Sequence, residues 1–368
     1  MADSDSAIAH GGGLIAARAR FPGAPVPWID LSTGINSMPY PVASLRPETF
    51  HRLPEPEEVR RLETAAARAY GVADPRMVVA APGTQILISL LPRLLRLGSV
   101  AVVGPTYAEH AAAWAAAGTS VSVVAGIRSL GGQPGVVLCN PNNPDGRRTR
   151  DTDLLALAAQ VGALVVDEAF ADLEDPGLSL APQLPANAIV LRSFGKTYGL
   201  AGLRLGFAVA APAMAHTIRA ALGPWAVSSA AVEIGTAALA DSAWLAATRA
   251  RLDRKLARLD DLLTEAGLRV IGGTRLFRLA SLSADCSSGS PHPDPFPQGE
   301  RVRRYEETSK MFNRLGRAGI LVRRFDAEPA WLRFGIPGGG WNRVEAALGR
   351  PDPRQARPVP NLSGPTCS

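Results

Sequence analysis

The chain is short of several things a 368-residue protein could carry, and each shortage excludes something. It has three cysteines, Cys139, Cys286 and Cys367, odd in number and far apart, so neither a disulfide framework nor a metal-spaced pair is expected. His292 and Cys286 share one segment but without ligand spacing. No apolar run reaches the roughly 18 residues of a membrane span, and the opening MADSDSAIAHGGG lacks a basic and then apolar leader pattern. These features together predict a cytoplasmic protein with no membrane partner. The net charge is +6, yet the arginines are scattered through Ala/Leu-rich stretches such as Arg249 to Arg258 rather than gathered in an aromatic-interleaved stripe. Nucleic acid is therefore not expected, and small anionic substrates suit the charge better.

The scarcest basic residue is lysine: of 39 Lys and Arg residues only Lys196, Lys255 and Lys310 are lysines. Lys196 stands in Ser193-Phe-Gly-Lys-Thr-Tyr-Gly, a tight turn directly after the apolar run Ala188 to Leu191, and Arg204 follows eight residues later. Where arginine supplies almost all positive charge, a lysine in such a turn implies chemistry that arginine cannot do. Only an amine loses its proton readily and condenses with a carbonyl.

Short apolar stretches alternate with helical ones on either side of this turn. Strands are expected at Met77 to Ala80, Ser99 to Val103, Val121 to Val124, Val136 to Cys139, Ala163 to Val166 and Leu205 to Ala210, with helices at Glu57 to Tyr70, Ile86 to Leu97 and Asp153 to Val161. That alternation predicts an α/β fold whose mostly parallel sheet is covered on both faces. The polar residues of interest follow strand ends, where open α/β sheets bind ligands: Gly83-Thr84-Gln85, Tyr107, Asn143 and Asp167. The glycine turn at 83 leads into a helix, which makes its free N–H groups an anion site. After Pro224-Trp225 the character changes. One long helical stretch runs from Ala230 to Ala266, followed by strands at Leu268 to Ile271, Leu276 to Leu279, Ile320 to Arg323 and Trp331 to Ile336. The expected organisation is an N-terminal arm (1–40), a large domain (41–226) and a smaller C-terminal α+β domain (227–350) that the arm joins. A Pro/Ser/Gly-rich insertion (284–301) and a Pro-rich tail (351–368) are expected to be disordered.

Taken in order, these motifs resemble the fold-type I enzymes that use pyridoxal 5′-phosphate (PLP), the class I/II aminotransferase family, over about residues 28 to 349. The resemblance implies that Lys196 carries the cofactor aldehyde, and that Ser193, Arg204 and the Gly83-Thr84-Gln85 amides hold its phosphate. Asp167 would keep the pyridine nitrogen protonated, whereas Glu168 points the other way if the strand register continues. Asn143 would donate to the ring phenolate, Tyr107 would stack on the ring, and Arg333 in Trp-Leu-Arg-Phe-Gly would bind a substrate carboxylate.

Within that family the chain looks closest to the histidinol-phosphate aminotransferase branch, and inside it to the threonine-phosphate decarboxylases of cobalamin biosynthesis. His10-Gly11-Gly, Asp30-Leu-Ser-Thr-Gly-Ile-Asn36, Phe170 in the place of the more usual tyrosine, and Pro224-Trp225 carry this likeness. It implies a substrate-facing arm with His10, Gly11 and Asn36, a further arginine, Arg323, at the substrate phosphate, a homodimer, and decarboxylation of L-threonine O-3-phosphate. Amino transfer of the histidinol-phosphate kind is the alternative. Leu53 departs from the family pattern, which often has a tyrosine there reaching the partner's cofactor phosphate.

Overall fold

The computed structural model describes residues 10–175, 177–282 and 298–349. Strand β1 (Ile29–Leu31) belongs to the arm. Strands β2 (Val78–Ala81), β3 (Ser99–Val103), β4 (Ser120–Val124), β5 (Gly135–Cys139), β6 (Ala163–Asp167), β7 (Ala188–Ser193) and β8 (Gly206–Ala210) form a seven-stranded sheet. Its order is β2-β8-β7-β6-β5-β3-β4, parallel throughout except at β8, which runs antiparallel to both neighbours. Strands β9 (Leu268–Thr274), β10 (Phe277–Leu282), β11 (Ile320–Arg324) and β12 (Trp331–Gly335) make a second sheet with β1, ordered β1-β11-β12-β10-β9.

Alternation of side chains explains how the large sheet is covered twice. Val100 and Val102 of β3 pack on one face with Ile88, Leu91 and Trp114, while Ala101 and Val103 pack on the other with Leu138, Leu154 and Leu164. Both faces are apolar, so these strands read as continuous hydrophobic runs. Only β4, at the sheet edge, is largely exposed. The helix Pro56–Tyr70 is set by local chemistry: a Glu55/Glu58 capping box, proline at its first turn, and Gly71 at φ 70° to stop it.

The second sheet has its own core, with Leu252, Leu256, Leu259, Phe277, Phe334 and Leu348 at its heart. The arm is more structured than its composition suggests. Helix Leu14–Arg20 buries Ala17, and β1 pairs in parallel with β11, Ile29 opposite Ile320. Two expectations are corrected. The helical stretch from Ala230 is two helices, Ser229–Ala240 and Ser242–Glu265, because the Asp241 side chain accepts from the Trp244 N–H and caps the second. In the segment 284–301, residues 284–297 lie outside the described residues, and the last four already belong to helix Gln298–Arg317. Cys286 and His292 lie outside the described residues with them, as does the tail 351–368 with Cys367.

Candidate active site

The C-terminal ends of the parallel strands converge on a cavity of about 280 Å³, closed from the other side by β11, β12 and the arm. Of the residues singled out in the sequence, His10, Gly11, Gly83, Thr84, Gln85, Tyr107, Asn143, Asp167, Phe170, Ser193, Lys196, Arg204, Arg323 and Arg333 all line it. Asn36, expected at the substrate, does not line it. Its N–H donates to the Lys196 carbonyl, its side-chain amide donates to the Thr197 carbonyl at 2.9 Å, and its Oδ1 accepts from the Met38 N–H. With its polar atoms so used and only 2% exposure, Asn36 holds the lysine turn from behind.

Topology assembles an anion cradle at one end. Because β8 is sandwiched between β2 and β7, with Gly206 opposite both Ala81 and Ser193, three segments meet there. These are the turn after β2, the end of β7 and Arg204 just before β8. Gly83 adopts φ +86°, and a Cβ on it would lie 2.5 Å from the Arg204 guanidinium. Only glycine permits both the backbone angle and the approach. Helix Thr84–Leu95 begins at this point, so its free N–H groups and positive dipole end face the same space as Arg204.

Lys196 lies at the floor, its ammonium 4.9 Å from the centre of the Phe170 ring. Burial, then the Arg333 charge, bring its pKa down from 10.5 to about 8, with Asp167 and Cys139 opposing. The amine thus loses its proton far more readily than an exposed lysine, as a carbonyl-condensing amine requires. Asp167, at the end of β6, is buried; its Oδ2 lies 2.9 Å from His110 Nε2 and its Oδ1 accepts from the Ala169 N–H. Burial works to lower the His110 pKa, but Cys139 and Asp167 outweigh it and raise it. Cys139, His110 and Asp167 have donor atoms all within 4.8 Å of one another, a grouping no spacing in the sequence announces. His110 is the functional neighbour that sequence reasoning missed. Its position three residues after Tyr107, on the next helix, was the only available signal.

On the opposite wall Arg323 and Arg333 are direct cross-strand partners of β11 and β12. Arg333 is 5% exposed and finds only neutral acceptors, Asn143 Oδ1 at 2.5 Å and the Ser32 carbonyl at 2.9 Å, while its Nε is buried without a partner. Burial and the neighbouring Arg323 bring its pKa down to about 9. A buried guanidinium in this state is set for an anionic ligand. Its hold on Asn143 Oδ1 also leaves the Asn143 amide N–H groups as the donors available to a ligand. Tyr107 has a cavity-facing ring whose hydroxyl donates to Gln85 Oε1 at 3.1 Å, and burial raises its pKa to about 12, so it stays a neutral phenol.

A doubly covered, mostly parallel sheet with a lysine turn after β7 and an anion cradle beside it defines a class, and the aminotransferase class I and II family model matches residues 27–350. The chain belongs to that family. It is 42% identical over 354 residues to a threonine-phosphate decarboxylase of Sinorhizobium sp, covering 93% of this chain and 98% of that one. It is 35% identical over 350 residues to the threonine-phosphate decarboxylase of Pseudomonas aeruginosa, covering 93% and 97%. Among solved structures it is similar to the histidinol-phosphate aminotransferase of Sinorhizobium meliloti in complex with pyridoxal-5′-phosphate. That match has a TM-score of 0.71 at 20% identity and covers 93% of this chain and 97% of that one.

The residues fit the cofactor of that family. The cradle that a Cβ at Gly83 would fill would suit a phosphate, Asp167 is an acid held at a strand end, and Lys196 is an amine of lowered pKa between them.

Proposed function

We propose that the protein is a PLP-dependent carboxy-lyase that converts L-threonine O-3-phosphate to (R)-1-aminopropan-2-yl phosphate and CO2, the step the family resemblance implies for cobalamin biosynthesis. The observation that carries this reading is the pair Arg323 and Arg333, opposite one another on adjacent strands and separate from the cradle at Gly83 and Arg204. One cavity then has a place for the cofactor phosphate and two cations for a substrate with two anionic groups close together.

PLP, when bound, supplies the electron sink for the bond broken at the substrate Cα. The chain's own residues do the rest. Asp167, backed by His110, would hold a proton at the pyridine nitrogen; Gly83, Thr84, Gln85, Ser193 and Arg204 would bind the cofactor phosphate. Asn143 would donate to the ring oxygen, with Tyr107 and Phe170 against the ring. Arg333 would hold and orient the substrate carboxylate, and His10, Gly11 and Arg323 would take the substrate phosphate. After CO2 leaves, a proton must arrive at Cα; Lys196 is the titrating amine in reach of the cavity. Delivery of the proton by that amine to Cα is what decarboxylation would require of the chain. A homodimer belongs to the same proposal, and Phe50, Leu53 and Trp225 are large apolar side chains exposed on the single chain.

The test is CO2 release by the purified, PLP-loaded protein. Threonine phosphate should be turned over and threonine itself far more poorly. Transfer of nitrogen from histidinol phosphate to 2-oxoglutarate, with no CO2, would establish the aminotransferase reading instead.

A further inference from the structure

Glu109 was singled out by nothing in the sequence. It opens the helix Glu109–Ala116 that follows Tyr107, and its carboxylate spans two parts of the site. Oε1 lies 2.9 Å from His10 Nε2 of the arm, and Oε2 accepts from Gln85 Nε2 at 3.1 Å. Gln85 in turn accepts from the Tyr107 hydroxyl, and its backbone is in the turn that forms the anion cradle. One side chain therefore joins the arm, the cradle and the ring-facing tyrosine. The carboxylate is 21% exposed and His10 47%; His10 lines the cavity and Glu109 does not, so the contact sits at the cavity's solvent-exposed edge.

The rest of the arm's entry is held by small groups. The Gly12 N–H donates to Ser32 Oγ at 2.7 Å, and that hydroxyl donates to Asp30 Oδ1 at 2.6 Å. Gly11 abuts the Ser32 carbonyl so closely that a Cβ would not fit. These contacts fix the backbone of the arm but leave the direction of the His10 ring to Glu109 and to the Tyr107 ring, whose centre lies 6.0 Å from its own. With Nε2 engaged by the carboxylate, Nδ1 is the polar atom of the ring left for a ligand.

We propose that Glu109 is a specificity-determining positioning residue. By holding His10 and Gln85 on its two oxygens, it seats the arm at the cavity mouth beside Arg323 and so favours amino acids that carry a second anionic group of the alkyl phosphate class. The inference rests on the substrate reading above. It assigns Glu109 no contact with the reacting atoms: it acts through His10.

The experiment uses the PLP-loaded protein and its Glu109→Ala, His10→Ala and doubly substituted forms. Loss of Glu109 should raise KM for threonine phosphate about tenfold while kcat and cofactor affinity stay within about threefold, the signature of lost ground-state binding. His10→Ala should do the same, and the double variant should be no worse than the poorer single one, because both remove one interaction. Amide exchange at residues 11–13 should quicken in Glu109→Ala. An acid that merely starts its helix would instead lower the urea midpoint without raising KM; that outcome, a KM effect that adds to that of His10→Ala, or unchanged exchange overturns the proposal. If threonine phosphate is no substrate at all, the exchange measurement still decides whether Glu109 seats the arm, and the substrate reading fails on its own.

Discussion

Asp167 and Glu168 are consecutive, both buried, and face opposite sides of the large sheet. Their surroundings are completed in different ways. Glu168 accepts from Arg192 Nη1 at 2.6 Å, from the Ser179 hydroxyl at 2.6 Å and from the Leu180 N–H at 2.7 Å. Arg192 also binds Asp172, whose second oxygen accepts from Thr197 in the lysine turn, and its guanidinium lies 4.4 Å from the centre of the Tyr70 ring. On that side the chain pairs its own charges: Arg192 has a buried Nε without a partner, as Arg333 does, but its cation meets two carboxylates, Glu168 and Asp172. On the Asp167 side Lys196, Arg204, Arg323 and Arg333 line the cavity with Asp167 as the one lining carboxylate among the described residues, and burial brings the pKa values of Lys196 and Arg333 down. The difference teaches that burial of charge does not by itself mark a functional site. What marks it is burial of charge left incomplete, which a ligand can finish.

The largest expected effect breaks the incomplete side. Lys196→Met in the PLP-incubated protein should lose the visible absorption of lysine-bound cofactor and at least about 10³-fold in turnover, since no other amine lines the cavity among the described residues. An unchanged spectrum with full activity would remove the basis for the whole site. Next, Asp167→Asn should still bind cofactor but lose about 10²–10³-fold in turnover, because an amide no longer stabilises a protonated ring nitrogen. Activity within a few-fold of the parent would show that Asp167 serves the fold, as Glu168 does.

The completed side should respond in stability. Arg192→Met leaves Glu168 and Asp172 buried without their cation, a loss of about 3–5 kcal/mol, read as a lower urea midpoint. Should that midpoint hold, the two sides would not differ as argued.

The comparison also explains what the sequence made legible. Strand-end polar residues, the lysine turn and Gly83 were readable because each is a local signal: an apolar run, then a turn residue, then a charge. That Asp167 rather than Glu168 faces the cavity was readable too, since side chains alternate along a strand. The Arg192 network was not, because its members are spread over residues 168 to 197 and meet only once β6 and β7 pair. His110, Cys139 and Glu109 escaped for the same reason, each defined by a partner distant in the chain. The hydrogen bonds that tie Asn36 to the lysine turn and to Met38 were not readable from its motif either. The arm's helix and β1 pairing were hidden by a Gly/Ala/Pro-rich composition whose order comes from contacts with β11 and the second core.

The smallest expected effect is also the sharpest test of the contrast, because one substitution should move function and stability in opposite directions. In the cofactor-free protein the buried Lys196 amine has its pKa lowered from 10.5 to about 8. Between those two values the unfolded chain binds more protons at this position than the folded one, so stability rises with pH across that window. Below about pH 8 the amine is protonated in both states, and the folded chain bears the full cost of a buried cation. Lys196→Met removes the titrating group while keeping much of its volume. At pH 7 the cofactor-free variant should therefore be more stable than the parent by about 3 kcal/mol. The gap should shrink as pH rises and be nearly closed by about 10.5, as paired urea titrations at several pH values will report. A gap of opposite sign, or one that does not change with pH, would mean that Lys196 is as well accommodated as Arg192, and that the cavity is not held in readiness by unsatisfied charge.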